Sequence, residues 1–233
     1  MKVLVIGATG GSGRAAVAEL VRRGHEVTAL SRHASTLTGP GVRGVDGDAT
    51  DPLVVDTIVP GQDAVVVALG ITESPLRVRL RGPAGTSMDV RSRGTRAVID
   101  AMQRHGVQRL VVQTSYGVGA TRRRLDLASR LFFAALLAPQ IADTEIQARE
   151  LHASGLDWVE VQPVYLTDAD ADAPYVSASG ETRERRVSRQ AVARVLVDAI
   201  ERDEHVGRTL SVSGTPAVSN TTARPAAATA VSQ

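Results

Sequence analysis

The chain contains no cysteine, which excludes disulfides, thiolate metal sites and cysteine nucleophiles. Lysine is almost absent too: among 27 Lys and Arg residues the sole lysine is Lys2. Lys2 opens the first predicted strand, at the end of a sheet remote from where ligands gather, so a catalytic lysine is effectively excluded. Long apolar runs are missing as well. DAVVVALGI and RLFFAALLAP fall short of the roughly 18 to 20 residues that a bilayer span needs, so no membrane partner is expected. The N-terminus MKVLVIGATG passes straight into a strand, without a basic region followed by a long apolar one, so no secretion signal is read and a cytoplasmic location is expected. The net charge is only +2 with dispersed basic residues, which argues against a nucleic-acid partner. What remains, 233 residues at 43% hydrophobic and 22% charged, is the composition of a soluble α/β domain.

Strands and helices alternate along the chain. KVLVIGATGGSG is a short apolar run closed by glycines, and RAAVAELVRRG follows with Ala15, Val17, Ala18, Leu20 and Val21 at helical spacing up to Gly24. HEVTALSR is a second β-rich run, GVRGVDGDATD a third strand with its turn, and DPLVVDTIVPG a helix with Asp51 and Pro52 at its start. QDAVVVALG predicts a fourth strand, TSMDVRSRGTRAVIDAMQRHG a long helix, and VQRLVVQTS a fifth strand. Residues 122–154 read as helix broken near Pro139, and LDWVEVQP (156–163) as a sixth strand. APYVSASGETRERRV predicts a hairpin turning at Ser179-Gly180. SRQAVARVLVDAIERDEHVG is a late helix capped by Ser188, and RTLSVSG a last strand. Apolar rather than alternating strands, separated by helices, specify a parallel sheet covered on both faces. The fold class is therefore α/β, a Rossmann-type doubly wound sheet in a single domain over residues 1–214, with a small C-terminal elaboration on the substrate side. Residues 215–233, rich in Ala, Thr, Ser and Pro, read as a low-complexity tail.

Gly7, Gly10 and Gly13 form G-x-x-G-x-x-G between the first strand and first helix. Gly7 permits the tight turn, Gly10 lets the backbone approach a pyrophosphate, and Gly13 lets the helix pack closely on the strand. The N–H groups at the helix start receive phosphates, and Thr9 and Ser12 add hydroxyl donors. The second strand ends in Ser31 and Arg32, without the carboxylate that would accept from a ribose 2′-hydroxyl. Arginine there suits a 2′-phosphate, so NADP(H) is the expected cofactor. Asp48 and Ala49 fall along the adenine, and Ala68, Leu69 and Gly70 beside the ribose. Further strand ends, at Thr114-Ser115 and Pro163-Val164-Tyr165, belong to the same edge of the sheet.

These blocks carry a resemblance. GATGGSG, LSRHAS, GDATD, GQDAVVVALG, TRAVIDAMQRHGVQRLVVQTS, LHASGLDWVEVQP and VSRQAVARVLVDAI, in this order, resemble the atypical short-chain dehydrogenase/reductases with an NAD(P)-binding, NmrA-like domain, in particular the biliverdin-IXβ reductase/flavin reductase group. The resemblance spans nearly all of residues 1–214. It implies a reductase that does without the tyrosine-lysine pair of ordinary short-chain dehydrogenases, and here the position four residues after Tyr116 is Ala120. It implies that Ser115 faces the substrate, and that backbone groups around Pro163, Val164 and Tyr165 hold the nicotinamide carboxamide. Two departures stand out. The segment from Ser115 to Glu145 is long and helical for that group, and Thr144 occupies a position where similar bacterial proteins carry lysine.

The expected activity is NADPH-dependent hydride transfer to an aromatic or conjugated small molecule, flavin-, quinone-, tetrapyrrole- or polyketide-like, by a monomer or homodimer. Ser115 and Tyr116 are the candidate catalytic residues. The alternatives are a non-catalytic NADP(H) sensor and a biosynthetic enzyme without net redox change. Weaker candidates have bland readings: Arg122, Arg123 and Arg124 a solvated helix start, Phe132, Phe133, Leu136 and Leu137 core, Asp168, Asp170 and Asp172 a solvated loop, and His152 a structural residue. No metal site is expected.

Overall fold

Five short apolar segments form the middle of one sheet because both of their faces are covered. In the computed structural model, which describes residues 1–70, 85–126, 138–169 and 173–216, these are β1 (Lys2–Ile6), β2 (Glu26–Ser31), β4 (Ala64–Val67), β5 (Arg109–Gln113) and β6 (Asp157–Pro163). Adding β3 (Val42–Asp46), β8 (Pro174–Ser177) and β10 (Arg208–Gly214) gives the order β3-β2-β1-β4-β5-β6-β10-β8, with a separate pair β7 (Tyr165–Thr167) and β9 (Arg186–Ser188). All neighbours in the large sheet are parallel except β8, which runs antiparallel to β10 at the edge. The chain winds outward from β1 to β3, then returns to β4 on the other side of β1, so a topological switch point lies between β1 and β4.

Alternate strand residues divide the core. Val3, Val5, Ala64, Val66, Val111 and Val159 pack under α1 (Gly11–Arg22) and α5 (Arg189–Glu201). Leu4, Ile6, Val65, Val67, Leu110 and Val112 pack against α2 (Pro52–Ile58), α3 (Val90–His105) and α4 (Ala138–Ala153). The helix ends follow local chemistry. Asp51 accepts from the Leu53 N–H at 2.9 Å with Pro52 at the first helical position, and Ser188 accepts from the Ala191 N–H at 3.1 Å. Gly106, at φ +71°, terminates α3 in the left-handed conformation.

The structure departs from the sequence reading in two places. The expected hairpin at Ser179-Gly180 is not one: β8 pairs antiparallel with β10, and β9 pairs parallel with β7. Each segment pairs instead with a strand other than its neighbour in sequence. Pro139 lies in the first turn of α4, where its missing N–H costs nothing, and the helix expected before it falls largely on residues outside the described ones. Gly119–Arg124 forms a short 3₁₀ helix, where α-helix was expected from residue 122. Phe132, Phe133, Leu136, Leu137, Asp170, Asp172 and residues 217–233 of the expected tail lie outside the described residues. Among the described residues no helix is long and apolar enough to cross a membrane.

An ion network joins α1 to α5. Arg23 reaches Glu19 at 2.8 Å on its own helix, and Asp198 and Glu201 at 2.7 Å each across the junction. Hydrogen bonding from Arg22, reinforced by Arg23, holds the Glu19 carboxyl down to about 2 from 4.5 despite partial burial. Folding therefore favours the ionised form. The stabilisation is complete above pH 4.5 and disappears as the pH falls through about 2. Urea unfolding of wild type and Glu19→Gln should show a gap of about 1–2 kcal/mol at pH 6 that narrows steadily towards pH 3, because Arg22 is exposed and the pair is screened. A gap independent of pH would show that the carboxylate charge does not contribute.

Candidate functional site

The carboxyl ends of the central strands open into a cleft of about 550 Å3. Its floor is the glycine turn. Gly7 sits at φ +83°, and its N–H and that of Ala8 both donate to the Leu30 carbonyl. A Cβ on Gly7 would lie 2.6 Å from the Ala68 carbonyl oxygen, and a Cβ on Gly13 only 2.1 Å from the Gly7 carbonyl oxygen. Close packing of α1 on β1, with β4 alongside, thus depends on missing side chains. Gly10 caps α1 with no side-chain hydrogen bond, and the first turn holds no acidic residue. The positive end of the helix is left open to an anion.

The predicted residues divide into two groups. Gly7, Thr9, Gly10 and Ser12 line the cleft together with Ser31 and Arg32 from the end of β2, Asp48 and Ala49 from beyond β3, and Ala68, Leu69 and Gly70 from beyond β4. Gly13 lies beneath them as packing. Thr114, Ser115, Tyr116, Pro163, Val164 and Tyr165 are not among the lining residues. Thr114 is buried and donates to Glu160 at 2.6 Å. The Tyr116 hydroxyl donates to the Gly180 carbonyl at 3.1 Å, which turns it towards the β8–β9 connection. The N–H groups of Val164 and Tyr165 are taken by the carbonyls of Val212 and Arg185, and the Tyr165 side chain is exposed. Ser115 is half-buried beside them.

Other residues complete the cleft, among them Gly11, His33, Thr50, Arg91, Gln113, Leu166 and Arg189. Gln113 had a readable signal, since strand alternation puts it on the same side as Ser115. Its Nε2 donates to Ser12 at 3.1 Å, while its buried Oε1 has no partner among the described residues. That acceptor is available to a ligand donor. Arg189 packs against Gly11, where a Cβ would meet its Nε at 2.6 Å, and is anchored by Asp168 at 2.5 Å. Nothing in the sequence pairs residue 189 with residue 11.

Charge in the cleft is set by which carboxylates are already committed. Arg32 donates to the Thr86 hydroxyl at 3.1 Å and to the Gly85 carbonyl. Asp46, paired with Ser31 across the β2–β3 register, accepts from the Ser35 N–H and hydroxyl at 2.7 Å each. Asp48 accepts from the Thr50 N–H and hydroxyl at 2.8 Å each, and the Thr50 N–H is the first cause holding its carboxyl below the usual range. Acidic groups near the end of β2 therefore serve local turns.

Beneath α4 lies a second polar assembly outside the cleft. Glu160 is 1% exposed and accepts from Thr114, Gln162, Thr209 and His152 at 2.6 to 3.0 Å. Burial pushes its carboxyl up, but these donors outweigh it and hold it below the usual value. His152, stacked on Trp158 at 4.4 Å, closes this network at the surface. Of the arginine run, Arg122 pairs with Glu145 at 2.9 Å. Among the described residues no group of His, Cys, Asp and Glu has the arrangement of a metal site.

Comparison with known proteins agrees with this geometry. A family model described as NAD(P)H-binding matches residues 7–203. The chain is 35% identical over 119 residues to 2-alkyl-3-oxoalkanoate reductase from Stenotrophomonas maltophilia, a match covering 51% of this chain and 34% of that protein. It spans about a third or less of the length of the curated relatives it matches. Among solved structures, anaerobilin reductase ChuY from Escherichia coli superposes with a TM-score of 0.75 at 22% identity, covering 97% of this chain and 100% of that one. A short-chain dehydrogenase/reductase from Veillonella parvula in complex with NADP does so at 0.75 and 16% identity, covering 93% and 95%.

The glycine contacts are directly testable. Gly13→Ala should cost about 1–3 kcal/mol in urea unfolding, as an overpacked contact between helix and strand backbones. Gly10→Ala, whose Cβ would stand 3.3 Å from the same carbonyl, should cost much less. Equal losses would mean that the 2.1 Å approach does not control how α1 is seated.

Proposed function

Because the chain belongs to the NAD(P)H-binding family of atypical short-chain dehydrogenase/reductases, we propose that it is an NADPH-dependent reductase of a conjugated small molecule, with the dinucleotide in the cleft above β1 and β4. The single observation that carries the choice of NADPH is Arg32 at the cleft wall, next to carboxylates committed to Ser35 and Thr50. A 2′-phosphate replaces the Gly85 and Thr86 partners of Arg32 with stronger, charge-assisted bonds. The open start of α1 receives the pyrophosphate, with Thr9 and Ser12 at its margin. Gln113 offers its unpartnered oxygen to a hydroxyl or amide donor. The bound cofactor supplies a hydride equivalent, and the chain's residues position it and hold the acceptor beside it.

Ser115 and Tyr116, the expected catalytic residues, do not line the cleft among the described residues, and the reading does not rest on them. An isomerase or cyclase reading lacks support for a related reason. It needs a free acid–base pair, and Asp48, the carboxylate that lines the cleft, is engaged by Thr50. A small-molecule partner, a cytoplasmic location and a monomer or homodimer remain part of the proposal.

Fluorescence titration with NADPH and NADH tests the reading, followed by addition of FMN, a quinone and biliverdin while the reduced-nicotinamide absorbance is monitored. Arg32→Ala should weaken NADPH by about 10- to 100-fold, the worth of a charged hydrogen-bond set. NADH should change by less than about threefold. Equal losses for both nucleotides would remove the assignment of Arg32 to the 2′-phosphate.

A further inference from the structure

Arg91 is the second arginine of the cleft wall that has no salt bridge among the described residues. It lies in the first turn of α3, half-buried, and its Nε donates to the Leu69 carbonyl at 3.2 Å. Its Nη1 donates to the Thr144 hydroxyl at 3.0 Å, and that hydroxyl sends its own proton to the Gln140 carbonyl at 2.8 Å. Thr144 is thus fixed as an acceptor, and the guanidinium plane is held from two sides. Nη2 rests against Gly70, where a Cβ would lie 3.2 Å away.

The nearby carboxylate is spent elsewhere. Asp143 accepts from the Arg91 backbone N–H at 3.1 Å, the Ser92 N–H at 3.2 Å and the Ser92 hydroxyl at 2.5 Å. It caps α3 from a neighbouring helix. Among the described residues no carboxylate forms a salt bridge with the Arg91 guanidinium. Burial lowers the pKa of Arg91, with the Asp143 charge only partly offsetting it. A guanidinium carries five N–H donors, so Nη groups remain for a ligand.

Its position within the cleft identifies the ligand. Arg32 follows directly on β2, on one side of β1, and marks the proposed 2′-phosphate end. Arg91 is tied to the end of β4, on the other side, in a cleft that also takes in Gln113 at the end of β5. A dinucleotide with its pyrophosphate at Gly10 extends its nicotinamide half towards Arg91. We propose that the Arg91 guanidinium holds the oxygen of the acceptor during reduction, and that the acceptor is a conjugated carbonyl compound such as a quinone or enone. This rests on the reductase reading above. The acceptor carbon gains the hydride as its π pair moves onto oxygen, NADPH is oxidised to NADP+, and the new oxyanion faces Arg91 before taking a proton from water. A fixed cation at a developing oxyanion acts as a preorganised electrostatic group.

The test uses 2-hydroxy-1,4-naphthoquinone, an anion at neutral pH, as the probe of the oxygen site. Its binding to protein saturated with NADP+ is measured by fluorescence quenching for wild type, Arg91→Gln and Arg91→Lys, alongside the NADP+ affinity and melting temperature of each. Arg91→Gln should weaken the probe at least 10-fold and leave NADP+ affinity within threefold. Menadione reduction by NADPH should lose about 100-fold in kcat/KM. Arg91→Lys should restore part of both. Probe binding equal in wild type and Arg91→Gln overturns the inference, as does a parallel loss of NADP+ affinity, which would assign Arg91 to the cofactor phosphates. If Arg91→Gln fails to fold, Arg91→Lys decides, since a point charge in place of the planar fork must still weaken the probe. Failure of the wild-type protein to bind NADP+ at all would instead defeat the reductase reading.

Discussion

The seat of α1 on β1, through Gly13 and the carbonyl of Gly7, is the constraint on which the cleft depends. A side chain at either glycine would force its neighbours apart, since Gly13 would meet Gly7 and Gly7 would meet Ala68 of the β4 terminus. The same compact stack carries β2, because the Gly7 and Ala8 N–H groups both close on the Leu30 carbonyl. Four segments that end at one edge of the sheet are thereby fixed by backbone contacts. The helix start they surround keeps its N–H groups uncapped. Its suitability for an anion follows from this geometry, with side chains only tuning it.

Charge is distributed by the same economy of partners. Asp46, Asp48 and Asp143 stand close to the cleft, yet each serves a turn or a helix start. Arg32 and Arg91 are held by carbonyl and hydroxyl oxygens, and neither has a carboxylate salt bridge among the described residues. The cleft wall therefore presents a guanidinium on each side of β1. The Glu160 network is the opposite case, a buried carboxylate whose acceptor capacity is met by the four side chains around it. It fastens β5, β6, β10 and the end of α4 together behind the cleft.

The parts of this architecture that were legible in the sequence are those set by local rules. Apolar strands, Asp51-Pro52, Ser188, Gly106 and the glycine spacing each announce an element or its end through nearest-neighbour chemistry. The cofactor half of the cleft followed, because its residues sit at the ends of β1 to β4. The other half was less legible. Tyr116 looked poised for chemistry by its place after β5, but the Gly180 carbonyl, distant in sequence, takes its hydroxyl. The segments of the expected hairpin found β10 and β7 instead. Arg91 reads as one more polar residue on an exposed helix start until α4 supplies Asp143 for its backbone and Thr144 for its guanidinium. Such roles are set by packing between elements, which periodicity does not encode.

The near absence of lysine bears on the chemistry as well as the composition. Lys2 sits at the opposite end of β1 from the cleft, beside Asp63. The cations that remain are arginines, which hold charge and geometry but do not release a proton near neutral pH. A reductase built on them can stabilise an oxyanion but cannot protonate it from that cation. In the reduction proposed at Arg91 the proton comes from water, so the reduced acceptor has to persist as an anion until water reaches it. Delocalisation into a conjugated system gives it that lifetime, whereas an isolated alkoxide would demand an acid at the moment of hydride transfer. An arginine in the role proposed for Arg91 thus favours conjugated carbonyl acceptors over simple ketones.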